Sequence, residues 1–445
     1  MYWFMERKEG MFHRLSRTAF FVAAPLALPV LSFAQAPPLL TLEQAEATAI
    51  KNHPQIQAAQ NEVNFANQQI VINRAPYFPT VTGDVTGSQS YSGSRLGAGN
   101  LQASRLFQRE AQGVDIQQLV TDFGRTANLV SSARFGAQAA VQNSTATRYT
   151  VLLDVNRAYF DVLRAQATVK VAEETVSARQ LLSNQVTELA KNKLRSDLDV
   201  SFADVNVSEA KLLLLRAQDS VAGALAELGR SMGSDQPANY QLSDVPLPPA
   251  PPVTADTLVA EAVNNRPELA ALRASRESAY KFAAAEQDLK RPTVSGVAVA
   301  GYIPYINNST SAPIPPEYEA VAANVSIPIF NGHLFSARQE AAYQHALEAD
   351  QKLRDEQERI SRDVRVAWAN ANDAYQRIDV TAQFLRQASL AQQLAQGRYN
   401  LGLASIVELT QALLNVTSAQ IENLNSKYDY QTQYAALQFT LGLLR

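Results

Sequence analysis

The chain has 445 residues, 39 Lys and Arg against 42 Asp and Glu, a net charge of -3 and no cysteine. The near-neutral balance gives nucleic-acid binding no electrostatic footing. The missing thiols exclude disulfides, thiolate metal sites, cysteine nucleophiles and a lipid-bearing cysteine anchor. Hydrophobic residues make up 46 % of the chain, yet no internal run reaches the ~18 apolar residues of a membrane helix, which excludes a helical membrane protein.

Residues 1–34 read as a signal peptide. Arg7, Lys8, Arg14 and Arg17 form its positive region, and Thr18 to Phe33 is an apolar stretch too short to span a bilayer. Small residues allow cleavage after Ala34 or Ala36; Pro37 would flank the second cut, so the first is expected. The mature chain is then written twice. Residues 41–81 match 254–294 without a gap: Thr41 meets Thr254, Asn52 meets Asn265 and Pro54 meets Pro267, and just beyond the block Gly83 meets Gly296. Residues 154–233 match 363–442, with Ser196 meeting Ser405, Ala203 meeting Ala412 and Gly233 meeting Gly442. Two such blocks in the same order predict two repeats, 35–233 and 256–445, joined by a linker over 234–255. That linker holds Pro246, Pro248, Pro249, Pro251 and Pro252 and must be extended.

In chain order, the first element is a helix over Leu42 to Arg74. Thr41 suits its cap, and Pro76 and Pro79 stop it. A β-hairpin over 76–125 follows. Thr80 to Thr86 and Gly113 to Val120 alternate with a period of two, and Gln89 to Gln108 between them is expected to be loop. The helical period returns over Thr126 to Ala190, where Val155, Val162, Val169 and Val176 fall seven apart. A sustained seven-residue repeat writes a coiled-coil seam. The rod breaks at Asn192 to Asp197, and a shorter helix covers Asp199 to Arg230. The second copy repeats this order: a helix over Asp256 to Lys290, a hairpin over 291–333 with strands Val294 to Tyr302 and Ala320 to Ile329, and a loop over Tyr305 to Glu317. A rod over 337–398 has Val364, Ala371, Ile378 and Leu385 in register with the first, then breaks at Asn400 to Ser405 before a helix over Ile406 to Thr440. Alternating strands with one apolar and one small or polar face suit a membrane barrel, with lipid outside and water inside. The pattern alone equally fits a soluble hairpin.

No catalytic constellation stands out. His13, His53, His333 and His345 are never at metal-ligand spacing, and no phosphate loop is present. Asp122-Phe123-Gly124 reads as a helix-entry turn in which Gly124 permits an unusual backbone angle.

The segment Arg398-Tyr399-Asn400-Leu401-Gly402-Leu403-Ala404-Ser405-Ile406-Val407-Glu408-Leu409 resembles the second-repeat tip of the TolC-type outer-membrane efflux family. Asp122-Phe123-Gly124-Arg125 and Pro328-Ile329-Phe330-Asn331-Gly332 resemble its two barrel-to-helix turns, at Gly124 and Gly332, and the likeness covers about 41–442. The resemblance implies an α+β membrane protein of two tandem repeats. Each protomer would give four strands to a trimeric twelve-stranded β-barrel, continued by a long α-helical coiled-coil barrel. Oligomerisation also follows from physics, because open sheet edges are not tolerated in lipid and closure by neighbouring copies removes them. The implied role is a passive exit duct in the outer membrane, reaching into the periplasm. Drugs, small toxic molecules or proteins would pass through it without enzymatic chemistry or a cofactor. Its implied partners are a periplasmic adaptor (membrane fusion) protein, an inner-membrane pump of RND or ABC type and outer-membrane lipid, with no nucleic acid. At the tip, Glu408 falls where the family places an acidic ring that narrows the pore. The family's second acidic position is Gln411 here, and Asp199 is the first-repeat counterpart of Glu408. Tyr399 resembles the tip tyrosine of the closed state, and Arg195 is placed to bond across helices. Gly402, Leu403, Ala404 and Ser405, with Leu194 and Ser196 in the first repeat, resemble the adaptor-docking turn. A secreted coiled-coil structural or adhesive surface protein is the alternative. It explains the heptads and the signal peptide but not the two hairpins.

Overall fold

A computed structural model of the protein describes residues 39–89, 95–98, 101–105, 108–234, 240–307 and 315–444. The expected signal peptide lies outside them. Strand β1 (Leu39–Leu40) leads into helices α1 (Leu42–Asn52) and α2 (Pro54–Arg74). Thr41 caps α1 in a reciprocal box: its Oγ1 accepts from the Gln44 N–H at 3.2 Å, and Gln44 Oε1 accepts from the Thr41 N–H at 3.1 Å. The single helix expected over 42–74 is therefore two. His53 is extended (φ -68°, ψ 125°), because Pro54 disfavours helical backbone at the residue before it. The second copy breaks alike, at Arg266 (φ -69°, ψ 122°) before Pro267, giving α5 (Asp256–Asn265) and α6 (Pro267–Gln287).

Between these come β2 (Thr80–Ser88), β3 (Arg95–Ala98), β4 (Leu101–Arg105), β5 (Gln108–Thr121), α3 (Arg125–Lys191), α4 (Asp197–Ser231) and β6 (Gln241–Leu242). After α6 follow β7 (Thr293–Asn307), β8 (Glu317–Ser326), α7 (Leu334–Asn400) and α8 (Ile406–Thr440). Three expectations are corrected here. The loop expected over Tyr305 to Glu317 is shorter, since Tyr305 to Asn307 belong to β7 and Glu317 opens β8. The stretch Gln89 to Gln108 is not all loop, since β3 and β4 pair antiparallel within it. The strand expected over Ala320 to Ile329 ends at Ser326, short of Pro328, which has no N–H to give a ladder.

Four strands form one sheet in the order β2-β5-β7-β8, with antiparallel neighbours and, among the described residues, no partner on the outer side of β2 or β8. The register sorts side chains by face. Val81 lies opposite Ile116, Ile116 opposite Ala298 and Ala298 opposite Val321. On the other face, Thr82 lies opposite Asp115, Asp115 opposite Val299 and Val299 opposite Ala320. One face is thus a band of Val, Ile and Ala, while the other carries Thr80, Thr82, Asp84, Asp115, Gln117 and Asn324. Val81, Val85, Val321 and Val325 on the apolar face are all exposed, Val85 and Val321 at 87 % each.

Each strand pair passes into a rod through a left-handed turn. Phe123 and Gly124 have φ of 54° and 114° in the first, and Gly332 and His333 have 63° and 67° in the second. Asp122 anchors the first turn: its carboxylate accepts from the Gly124 N–H at 3.3 Å and the Thr126 N–H at 2.7 Å. The rods α3 and α7 each have 67 residues, about 100 Å of helix at 1.5 Å per residue. The returning α4 and α8 have 35 each. Val155, Val162, Val364 and Ala371 of the expected seam are fully buried, while Val169, Val176, Ile378 and Leu385 are half-buried. Among the described residues no helix is long and apolar enough to cross a membrane.

Midway along the rods, β1 and β6 pair in parallel. Buried Tyr159 closes this belt, its hydroxyl 3.0 Å from the Leu40 carbonyl and 2.7 Å from the Ser243 carbonyl. The Pro-rich segment after β6 wraps the rods as an extended strap. Prolines leave carbonyls without local donors, and side chains supply them: Gln431 Nε2 to Val245 O at 2.6 Å, Trp368 Nε1 to Pro252 O at 2.8 Å, and the Tyr430 hydroxyl to Pro249 O. Gly233 and Gly442 end α4 and α8 with φ of 70° and 71°. Each lies against the kink between the first two helices of its own copy, at Asn52-His53 and Asn265-Arg266.

Candidate functional site

The helical ends α3/α4 and α7/α8 lie at the opposite end of the rods from the sheet. Both α3 and α7 stop with the same closure: the Leu194 N–H donates to Leu189 O at 2.9 Å, and the Leu403 N–H to Arg398 O at 2.8 Å. This geometry needs one left-handed residue. Gly402 supplies it at φ 75°, and Lys193 takes the same role at φ 60°. Leu194 and Leu403 then point outward, 66 % and 68 % exposed. Ser196 and Ser405 start the returning helices, their hydroxyls accepting from the Asp199 and Glu408 N–H groups at 3.2 and 3.3 Å. Ala404 is half-buried against the apolar cluster of the tip.

The three acidic-ring candidates differ. Asp199 is committed to its own helix, where Oδ2 accepts from the Ser196 N–H at 3.2 Å. Exposed Glu408 pairs with Arg398 at 3.3 Å. Gln411 is exposed and donates to Asn415 Oδ1 at 3.1 Å. The residues brought together are Arg195 and Tyr399. Arg195 Nη2 donates to the Tyr399 carbonyl at 2.6 Å, and its guanidinium carbon lies 4.4 Å from the centre of the Tyr399 ring. Tyr399 is buried, and that burial pushes its phenol up, with the nearby Arg195 charge opposing the shift. This contact joins the first hairpin to the second across Leu182, Val186, Ala203, Ile406 and Leu409.

The chain and its fold match known proteins. A sequence profile described as outer membrane efflux protein matches residues 47–234 and 258–443, most of both copies. The chain belongs to the outer membrane efflux protein family. It is thus an outer-membrane channel component of an efflux or secretion system, and the adhesin alternative is not favoured. Among its relatives, outer membrane protein TolC of Salmonella enteritidis is 20 % identical over 434 residues, covering 94 % of this chain and 86 % of that one. The alkaline protease secretion protein AprF of Pseudomonas aeruginosa is 26 % identical over 421 residues, covering 89 % and 83 %. The crystal structure of the outer membrane protein VceC from Vibrio cholerae shares the fold with a TM-score of 0.74 at 18 % identity, covering 90 % of this chain and 96 % of that one.

Arg398 stands in the tip motif of this efflux protein, but its pairing with Glu408 is visible only in the structure. A further group lies outside the motif, a polar layer above the tip: Arg179 Nη1 donates to the Asn206 carbonyl at 3.1 Å, and Ser183 Oγ to Asp204 Oδ1 at 2.7 Å. Arg179 is only 4 % exposed, and that burial pushes its guanidinium down. The signal was present: Ala172, Arg179 and Val186 fall seven apart on α3 and are all buried, so the arginine occupies a seam position.

Proposed function

We propose that three copies of this chain close a twelve-stranded barrel in the outer membrane and a helical tunnel below it, forming a passive exit duct. The observation that carries this is the sheet of four strands with one apolar face, one polar face and two edges that no described residue partners. In hydrocarbon an unpaired edge leaves a row of N–H and C=O groups without partners, each costing several kcal/mol. Joining β2 of one copy to β8 of the next removes both edges. The rods support the same closure. At the tip α3 packs on α4 and α8, and α7 packs on α8, so α4 and α7 are the outer members. Leu198, Val205 and Leu212 are exposed seven apart on α4, as are Leu394 and Leu401 at the end of α7. Such stripes are unfinished coiled-coil seams. The two repeat units, 35–233 and 256–445 around the 234–255 linker, supply equivalent elements to this ring.

The relative named for secretion, AprF, and the family match support assembly with a periplasmic adaptor and an inner-membrane pump. Gly402, Leu403, Ala404 and Ser405, with Leu194 and Ser196, form the small, exposed turns on which an adaptor hairpin would dock. Arg195 and Tyr399 hold the tip closed, Glu408 lines the entrance, and Asp199 and Gln411 flank it. Opening separates the two hairpins, biased by adaptor binding. The test is reconstitution. The detergent-solubilised protein should sediment as a trimer and conduct ions in planar bilayers. A stable monomer that stays soluble without detergent sinks the proposal.

A further inference from the structure

Two side-chain hydrogen bonds join the first tip hairpin to the second among the described residues. One is the Arg195 contact to the Tyr399 carbonyl. The other lies deeper, where Asn206 Nδ2 on α4 donates to Thr410 Oγ1 on α8 at 3.0 Å. Asn206 is 3 % exposed, and its other amide hydrogen bonds Phe202 O at 2.8 Å. Its backbone carbonyl takes the buried Arg179 guanidinium, which also lies 3.5 Å from Glu209. One asparagine therefore ties α3, α4 and α8 at a single level.

The second hairpin has no such layer at the matching level; its own polar contact lies higher, where Asn423 Nδ2 donates to Thr381 Oγ1 at 3.3 Å, and it joins α7 to α8 within that hairpin. The positions matching Arg179, Ser183 and Asp204 are Ala388, Gln392 and Leu413. The match to Asn206 is Asn415, which is exposed and bonds only Gln411 of its own helix in the described contacts. Apolar seams tolerate small slips at little cost. A buried polar layer does not, because a slip leaves a desolvated guanidinium and amide without partners.

We infer that Asn206 and Thr410, backed by Arg179, are positioning residues for closure of the tip: they fix the level of the first hairpin on the second so that Arg195 meets Tyr399. This rests on the reading of the Arg195–Tyr399 contact as the element that holds the tip shut. The layer is a fulcrum. The hairpin ends beyond it swing apart, and the rods above it do not.

The experiment measures single-channel open fraction of the full-length trimer in planar bilayers for Thr410→Val, Thr410→Ser, Asn206→Leu and Arg195→Ala. Thr410→Val keeps shape and loses the hydroxyl, which is expected to raise the open fraction about fivefold, the weight of one net hydrogen bond. Thr410→Ser restores closure. Asn206→Leu acts in the same direction, and Thr410→Val carries the test should that variant fail to assemble. A rise with Arg195→Ala but none with Thr410→Val overturns the fulcrum alone. No rise with either overturns the latch reading and the fulcrum with it. A merely structural role for Thr410 would lower the unfolding temperature without changing gating, which also counts against the inference.

Discussion

Replacing Gly442, Gly233 or Gly402 by alanine separates two costs that sequence alone cannot distinguish. All three glycines are left-handed, with φ of 71°, 70° and 75°. Each substitution therefore carries the same backbone penalty, roughly 1–2 kcal/mol. Their surroundings differ. A Cβ on Gly402 meets nothing within 4 Å. On Gly442 it falls 2.9 Å from the Asn265 oxygen and 3.2 Å from the Arg266 nitrogen, and on Gly233 2.8 Å from His53 Cα and 2.9 Å from the Asn52 carbonyl. These are backbone atoms at kinks stiffened by Pro267 and Pro54, so they cannot rotate away. Overpacking of that kind adds roughly 1–3 kcal/mol. Gly442→Ala and Gly233→Ala should thus cost roughly 2–5 kcal/mol and Gly402→Ala no more than about 2. The assay is thermal unfolding of the trimer in detergent, followed by circular dichroism at one protein concentration and scan rate. Equal shifts for all three variants would refute the idea that the end of each copy is locked onto its own kink.

Tyr159→Phe takes the hydroxyl donor from the Ser243 carbonyl, while the Leu40 carbonyl keeps the Ser243 N–H at 3.0 Å, and should cost about 1–3 kcal/mol by the same thermal assay. Glu408 and Arg398 are both partly exposed, so their pair is weak; Arg398→Ala should strengthen block of the channel by divalent cations and Glu408→Ala should abolish it, and unchanged block in both removes Glu408 from the entrance. Burial first and the neighbouring Arg230 second hold the His53 imidazole below its ordinary 6.5. The unfolded chain then binds more protons than the folded one in that window, so stability is complete above the ordinary value and declines as pH falls below it. His53→Asn keeps an acceptor for the Gln55 N–H, which His53 Nδ1 meets at 3.3 Å, and unfolding temperatures between about pH 7 and 5 should flatten in this variant.

Much of the fold was legible because its periods are long. A seam such as Val155, Val162, Val169 and Val176 can be satisfied only by a rod, and the expected rod over Thr126 to Ala190 differs by one residue at each end from the observed Arg125–Lys191. The predicted start and end of α8 coincide with the structure, since Ser405 and the turn before it mark the start. Alternation located the strands, but strand ends and the β3–β4 pair were missed, because two-residue periodicity fades in short Gly- and Ser-rich stretches. The breaks at His53 and Arg266 are signalled only by the prolines that follow them, and the helical composition on both sides masks that signal.

The sequence by itself determined the two matched copies, the rod lengths, the turn residues Gly124, Gly332 and Gly402, and the apolar and polar alternation of the strands. These are local, and propensity, capping and period write them directly into the chain. Only the tertiary structure decided which distant groups meet: Arg195 with Tyr399, Asn206 with Thr410 and Arg179, Tyr159 with the strap, and Glu408 with Arg398. Arg195 and Tyr399 are 204 positions apart in the chain, and no periodicity carries information over that span. Packing alone brings such groups within hydrogen-bonding distance, because the cost of burying an unpaired polar atom falls only when the helices dock in one register.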